Sequence, residues 1–116
     1  VSSPQDVSVE DAMKAVAMFE KLDVPVFGMV ENFSFFVAPD TGTRYDIFGH
    51  GGAAKAADEL GIDFLGEIPI EPAVREGADR GIPVVYGAPD SESAKAIDRI
   101  AKNVAARISV LQRMGR

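Results

Sequence analysis

The chain has 116 residues, of which 47% are hydrophobic and 26% are charged, with a net charge of −6 and no cysteine. These proportions fit one folded domain or part of a larger one, and they exclude a wholly disordered chain or a coiled-coil rod. No apolar run reaches the roughly 20 residues that a membrane span needs, so we expect no membrane partner. The acidic balance argues against nucleic acid as a partner and favours a cytoplasmic protein. Without cysteine the sequence offers no thiolate ligand for a metal.

The first half of the chain predicts a helix, a buried strand and a hairpin. Ser8 is suited to cap a helix whose apolar residues recur at helical spacing to about Leu22. Residues 25–30 (PVFGMV) form a short apolar run that favours a strand buried on both faces. Residues 33–37 and 44–48 are also strand-like, and the turn signal APDTG between them predicts a small hairpin.

The second half of the chain alternates helices with short strands. Glycines and prolines divide it into a helix that follows residues 49–52 (GHGG) and ends at Gly61, a strand at 64–68, and a helix from Pro72 to about Gly81. A strand at 82–86 and a long amphipathic helix at 91–114 come after these. Strands separated by helices need crossover connections, which predict an α/β fold with a mainly parallel sheet, helices on both faces and a small hairpin insertion. The apolar face of the last helix is expected to pack on the sheet, with a partner-helix seam as the alternative.

Two loops at the carboxyl ends of predicted strands are candidate ligand sites, because open α/β sheets bind their ligands there. Asn32 follows the first strand, and its amide offers both a donor and an acceptor to the edge of a purine base. Pro69, Ile70 and Glu71 follow the second core strand, and Pro69 offers a flat apolar surface to a ring. For each loop taken alone, an ordinary turn is the alternative.

The sequence carries no recognisable catalytic motif or metal-ligand cluster. His50 is the single histidine, and a loop role between glycines is favoured over a role as ligand or base. Residues 49–52 could present backbone N–H groups to an anion, although a tight strand-to-helix turn explains these glycines better. The chain has no Gly-x-x-x-x-Gly-Lys-Ser/Thr loop for phosphates. We therefore assign no catalytic residue and no metal ligand from the sequence.

Four segments together resemble the C-terminal half of the Mrp/ApbC family of P-loop ATPases, which is related to the MinD, ParA and nitrogenase iron protein ATPases. The segments are VSSPQDV, PVFGMVENFSFF, DIFGHGG and FLGEIPIEPAVREGADRGIPVV, in the family's order and spacing over residues 1–85. The resemblance implies that residues 1–116 form the C-terminal, adenine-side part of a P-loop NTPase-like domain. The family's P-loop half lies N-terminal to the first segment. The implied ligand is ATP, with Mg²⁺ held by the P-loop half, in a homodimer that carries or assembles iron–sulfur clusters for client proteins.

The resemblance also implies roles for particular residues. It maps adenine contacts onto Asn32 and onto Pro69, Ile70 and Glu71, the two loops already singled out. The family often carries Cys-x-x-Cys where residues 38–41 read APDT, so no iron–sulfur cluster is expected on this chain. Without a P-loop the chain alone is not expected to hydrolyse ATP. The alternatives are a positioning switch of the MinD/ParA type and a non-catalytic interaction domain.

Overall fold

The computed structural model describes residues 1–114 and has an α/β fold. Its elements in chain order are α1 (Asp6–Lys21), β1 (Gly28–Glu31), β2 (Phe36–Val37), β3 (Arg44–Tyr45), α2 (Gly52–Leu60), β4 (Asp63–Glu67), α3 (Pro72–Arg80), α4 (Val84–Gly87) and α5 (Glu92–Arg113). The α/β class predicted from the alternation of helices and strands is confirmed. The expected hairpin is also present, because β2 and β3 pair antiparallel.

The sheet is centred on β1, which pairs in parallel with β4. The register shifts between Met29 and Val30, which is the mark of an extra residue in one strand. Beyond the shift, Glu31 lies opposite Glu67 at the carboxyl ends of the two strands. On the other side of β1, the backbone of Ser2 forms a parallel bridge to Glu31. The backbone at Ser2 therefore lies beside β1 in this sheet, with its N–H bonded to the Val30 oxygen and its oxygen to the N–H of Asn32.

Small side chains let the helices lie close to the sheet. The buried core cluster consists of Val16, Met29, Ala53, Ala56 and Ala57, from α1, β1 and α2. On the other face a Cβ added at Gly66 of β4 would lie 2.8 Å from the side chain of Ile100 in α5. Successive residues of a strand point to opposite faces, so α1 and α2 cover one face and α5 covers the other.

Helix α5 begins at a serine cap and packs on β4 around its middle, where Ile100 and Asn103 meet the strand. Ser91 is its N-cap, and the Ser91 Oγ accepts a hydrogen bond from the N–H of Ala94 (3.1 Å). Further along, Asn103 Nδ2 donates to the backbone oxygen of Leu65 (2.8 Å), on the edge strand. The sheet-packing interpretation of this helix is thus confirmed around its middle, while Ile108 is 38% exposed. Within residues 1–114, no helix has both the length and the apolar character that crossing a bilayer requires.

The strand predicted at residues 82–86 is wrong. This segment contains α4 (Val84–Gly87), a single helical turn. The Pro83 carbonyl accepts hydrogen bonds from the N–H groups three and four residues later, and proline has no N–H to give to a strand ladder. The N–H of Ile82 donates to the oxygen of Gly77 (2.8 Å) and so closes the end of α3. The short apolar run is therefore used to end one helix and begin the next.

The predicted C-terminal ends of α2 and α3 are correct, but the predicted N-cap of α1 is wrong. Gly61 and Gly81 end α2 and α3 in the left-handed conformation, with φ of 68° and 72°. Helix α1, however, has Gln5 as its N-cap, and no side chain caps it. Ser8, the predicted cap, lies within the first turn, where its Oγ accepts a hydrogen bond from the N–H of Ser3 (3.0 Å). Ser8 thus ties the first turn to the preceding chain.

Replacing Gly28 by alanine is expected to destabilise the protein by about 1–3 kcal/mol. The added Cβ would lie 2.6 Å from the backbone oxygen of Asp63 and 2.7 Å from the Leu65 Cγ, both on the paired strand. Gly87→Ala is the control, because its Cβ meets only a methyl carbon of Ile82 at 3.2 Å. Urea unfolding followed by circular dichroism measures both variants. Equal midpoints for the two would contradict the packing described for β1 and β4.

Candidate functional site

The two predicted ligand loops meet at the carboxyl end of the parallel sheet. The N–H of Ile68 donates to the Glu31 oxygen (2.8 Å), and the N–H of Ser34 donates to the Ile68 oxygen (3.0 Å). Two residues further on, the N–H of Ile70 donates to the Phe35 oxygen (2.7 Å). The loop that follows β1 and the loop that follows β4 are therefore joined through their backbones.

Asn32 lies half-buried at the start of the first loop. Its Oδ1 accepts a hydrogen bond from the N–H of Phe33 (2.8 Å), so the acceptor side of the amide is engaged within the loop. Phe33 has a φ of 53°, in the left-handed region that residues other than glycine seldom adopt. The Nδ2 side of the amide is then the part that this conformation offers to a base. The role of Asn32 as an adenine contact stays a prediction.

The second loop is fixed to the N-terminus of α5. A carboxylate oxygen of Glu71 accepts a hydrogen bond from the N–H of Ser93 in the first turn of that helix, where the helix dipole favours a negative charge. Pro69 is buried and Ile70 is half-buried. The carboxylate of Glu71 thus binds the first turn of α5. The adenine contacts assigned to Pro69, Ile70 and Glu71 stay predictions.

A cluster of polar side chains, which the sequence did not lead us to expect, lies beside these loops. Glu31 and Ser34 are both fully buried. The Ser34 Oγ lies within hydrogen-bond distance of the carboxylates of Glu31 and of Glu67, at 2.8 Å for Glu67. The Nδ1 of His50 lies 3.9 Å from the Glu31 Oε2 and 3.8 Å from the Glu67 Oε2. Glu31, Ser34, His50 and Glu67 are called the carboxylate cluster below.

The buried carboxylate of Glu31 is bound by the N-terminus of α2. The N–H of Ala53 donates to it at 3.1 Å, and the N–H of Gly51 lies at 3.4 Å. Gly49 and Gly51 have φ of 92° and 81°, a conformation that suits glycine and turns the chain into the helix. Residues 49–52 therefore make the tight turn and also hold an anion, which is the protein's own Glu31.

His50 connects the carboxylate cluster to the hairpin. The Nη2 of Arg44, in β3, lies 3.1 Å from the His50 Nδ1. The same guanidinium lies over the ring of Phe35, 4.2 Å from its centre, and its Nε pairs with the Asp46 Oδ1 at 3.1 Å. His50 is thus more than a loop residue between glycines, because its ring bridges the hairpin and the ends of the two core strands.

The sequence matches one family over most of its length. Residues 1–105 fit the family described as NUBPL iron-transfer P-loop NTPase. The chain belongs to this family. An iron–sulfur cluster carrier protein from Deinococcus radiodurans is 49% identical to it over 110 residues, which cover 95% of this chain and 31% of that protein. The chain therefore spans about a third of the length of this relative, and the resemblance drawn from the four segments is confirmed.

Two solved structures show the same fold as this NUBPL-family chain. The cell division ATPase MinD from Pyrococcus furiosus has a TM-score of 0.71 and 29% identity, over 91% of this chain and 40% of MinD. A nucleotide-binding protein from Archaeoglobus fulgidus, in complex with ADP and with cobalt, has a TM-score of 0.61 and 37% identity, over 70% of this chain and 33% of that one. Both confirm the α/β sheet of a P-loop NTPase.

In this family member, the sequence did contain a signal for the carboxylate cluster. Glu31 and Glu67 are the last residues of β1 and β4, and the carboxyl ends of parallel strands meet at one edge. We gave weight to the amide of Asn32 and to Pro69, which follow those residues, and not to the acidic residues themselves.

Proposed function

We propose that this chain is the adenine-side half, residues 1–116, of a longer ATPase that carries or assembles iron–sulfur clusters for client proteins. The family is one of iron-transfer P-loop NTPases, and matching relatives are named iron–sulfur cluster carrier proteins. The observation that carries the nucleotide part of the proposal is the backbone joining of the Asn32 and Pro69 loops at the carboxyl end of the sheet. The likeness to MinD concerns the fold, and it gives no separate support to a positioning switch.

ATP binding is divided between two halves in this proposal. Asn32 donates to the edge of the adenine, and the backbone around Pro69 and Ile70 borders the ring. The P-loop half supplies the backbone cradle, the lysine and the Mg²⁺ that neutralise the phosphates. The ADP in the Archaeoglobus fulgidus relative supports a nucleotide as the ligand. We assign no catalytic residue to this chain.

A homodimer in the cytoplasm is part of the same proposal, and the net charge of −6 favours that location. Apolar side chains beside the hairpin support an interface. Phe33 and Phe48 pack edge to face with ring centres 6.1 Å apart, yet they remain 49% and 39% exposed. Tyr45 and Ile47 on the same segment are more than half exposed. Several exposed apolar side chains on neighbouring segments are typical of protein–protein contacts.

In the full-length protein, Asn32→Ala is expected to weaken ATP binding and to reduce the preference for ATP over GTP. A base-edge hydrogen-bonding pair is worth about 1–3 kcal/mol of discrimination, which corresponds to roughly 5- to 150-fold in affinity. Calorimetric titration with each nucleotide measures both effects. Asp40→Ala, in the exposed hairpin turn, is the matched control and should bind like the wild type. If Asn32→Ala leaves both affinities unchanged, Asn32 is only a turn residue.

A further inference from the structure

We propose that Glu31, His50 and Glu67 bind one divalent transition-metal ion, with the Ser34 hydroxyl beside it. One ligand atom from each of the three residues lies within 4.8 Å of the other two. The three residues come from β1, from the loop before α2, and from β4. This site does not depend on the proposed ATPase function, because none of the residues assigned to adenine belongs to it.

The donor atoms indicate the class of metal. One imidazole nitrogen with two carboxylate oxygens suits Zn²⁺, Co²⁺ or Fe²⁺, whereas Mg²⁺ and Ca²⁺ prefer oxygen alone. Bonds of roughly 2.0–2.2 Å place neighbouring ligands of a tetrahedral ion about 3.4 Å apart. The Nδ1 of His50 lies 3.9 Å and 3.8 Å from the carboxylate oxygens of Glu31 and Glu67. A closure of a few tenths of an ångström would bring the His50 nitrogen to this distance from each carboxylate, and the two carboxylate oxygens already lie within 4.8 Å of each other.

The hydrogen bonding around Ser34 leaves a place for a cation. The Ser34 Oγ lies within hydrogen-bond distance of both Glu31 and Glu67, but a hydroxyl has one proton to donate. Only one of the two carboxylates can accept that proton. Glu31 also accepts from the N–H groups of Ala53 and Gly51, whereas within residues 1–114 Ser34 is the one hydrogen-bond donor to the Glu67 carboxylate. A divalent ion bound by both carboxylates would offset the repulsion between their two like charges.

The proposed site is reachable from solvent and is rigid on its inner side. It opens onto a cleft of about 450 Å³ that is also lined by Gly66 of β4 and Ile100 of α5. The side chains of His50 and Glu67 are 44% and 35% exposed, so an incoming ion can meet them first. The Glu31 carboxylate is fully buried and held by the N-terminus of α2, so it is already placed as the inner ligand.

Arg44 competes with the metal for the imidazole nitrogen. Its Nη2 lies 3.1 Å from the His50 Nδ1, the atom that faces both carboxylates. Its Nε is paired with Asp46 at 3.1 Å, so the guanidinium can remain on the hairpin when an ion takes the Nδ1 lone pair. Removing this guanidinium should therefore strengthen metal binding, which is the opposite of removing a ligand.

Calorimetric titration of the untagged chain with Zn²⁺, and separately with Co²⁺, tests the site. We expect one ion per chain. His50→Ala and Glu67→Gln should each weaken the affinity more than about tenfold, since loss of a ligand exceeds the loss of a supporting hydrogen bond. Arg44→Gln should bind more tightly than the wild type. Glu76→Gln, which removes an exposed carboxylate on α3, is the control and should leave the affinity unchanged.

Nuclear magnetic resonance identifies the coordinating atom, because His50 is the only histidine in the sequence. Zn²⁺ should shift the Nδ1 resonance of the ring. Several results would overturn the proposal: no stoichiometric binding, coordination through Nε2, or an affinity that Glu67→Gln does not change. Circular dichroism checks the folding of each variant. Should a ligand variant fail to fold, Arg44→Gln still decides, because equal or weaker binding by that variant overturns the site.

Discussion

Replacing Glu31 by alanine is expected to destabilise the protein by roughly 3–5 kcal/mol, the largest effect of any single substitution considered. The carboxylate is fully buried and accepts hydrogen bonds from the N–H groups of Ala53 and Gly51 and from the Ser34 hydroxyl. Alanine would leave the two N–H groups at the start of α2 without a partner, at roughly 1–3 kcal/mol each, and would add a cavity.

Urea unfolding compares Glu31→Ala with two other variants. Glu31→Gln keeps the shape and one acceptor oxygen, so it should lose less than half as much stability as the alanine variant. Glu59→Ala changes an exposed residue of α2 and should stay within about 0.5 kcal/mol of the wild type. An alanine variant at position 31 that unfolds like the Glu59 control would show that Glu31 does not hold the helix.

Anaerobic reconstitution of the chain with iron and sulfide is expected to yield no stable iron–sulfur cluster. Such clusters are held by cysteine thiolates, with histidine in place of some of them in certain centres. The sequence has no cysteine and one histidine, so two copies supply two imidazoles and cannot complete a set of four ligands. The hairpin turn that replaces Cys-x-x-Cys begins at Ala38, whose N–H donates to the Thr43 oxygen (2.9 Å). Visible charge-transfer absorption, with iron and sulfide analysis after desalting, measures the outcome.

The double variant Ala38→Cys, Thr41→Cys is the positive control for this reconstitution. It restores two thiolates in the slot where the family often carries them, and a dimer would supply four. We expect iron and sulfide to be retained by the double variant and lost from the wild type. Iron bound without sulfide would report the site at His50 and not a cluster. Sulfide retained in proportion to iron by the wild type would refute the prediction.

The sequence predicted the fold where a local signal had only one physical meaning. Gly61 and Gly81 end helices because the left-handed conformation suits glycine, and the turn APDTG separates β2 from β3. The strand predicted at residues 82–86 is wrong because a short apolar run fits a buried strand and a buried helical turn equally well. The hydrogen bonds of Ile82 and Pro83, which the sequence does not display, decided between them.

The candidate site was predicted only in part, for a similar reason. The two loops were found because each follows a strand, and the structure does bring Asn32 close to the loop at Pro69. The carboxylate cluster depends on register: the shift between Met29 and Val30 places Glu31 opposite Glu67. The environment of His50 depends on a hairpin arginine six residues away. Pairings of this kind are fixed by tertiary structure, which periodicity and composition do not specify.

The hydrogen bond from Asn103 to Leu65 makes the two edges of the sheet unequal in their free backbone groups. An edge strand with free backbone groups can recruit a strand from another molecule and so begin aggregation. Here the side-chain amide of Asn103, in α5, donates a hydrogen bond to the backbone oxygen of Leu65 in β4. At the opposite edge, Ser2 contributes the start of another parallel strand next to β1. One carbonyl on the β4 edge is therefore already paired and less open to a strand from another molecule, while on the other side no strand lies beyond Ser2 within residues 1–114.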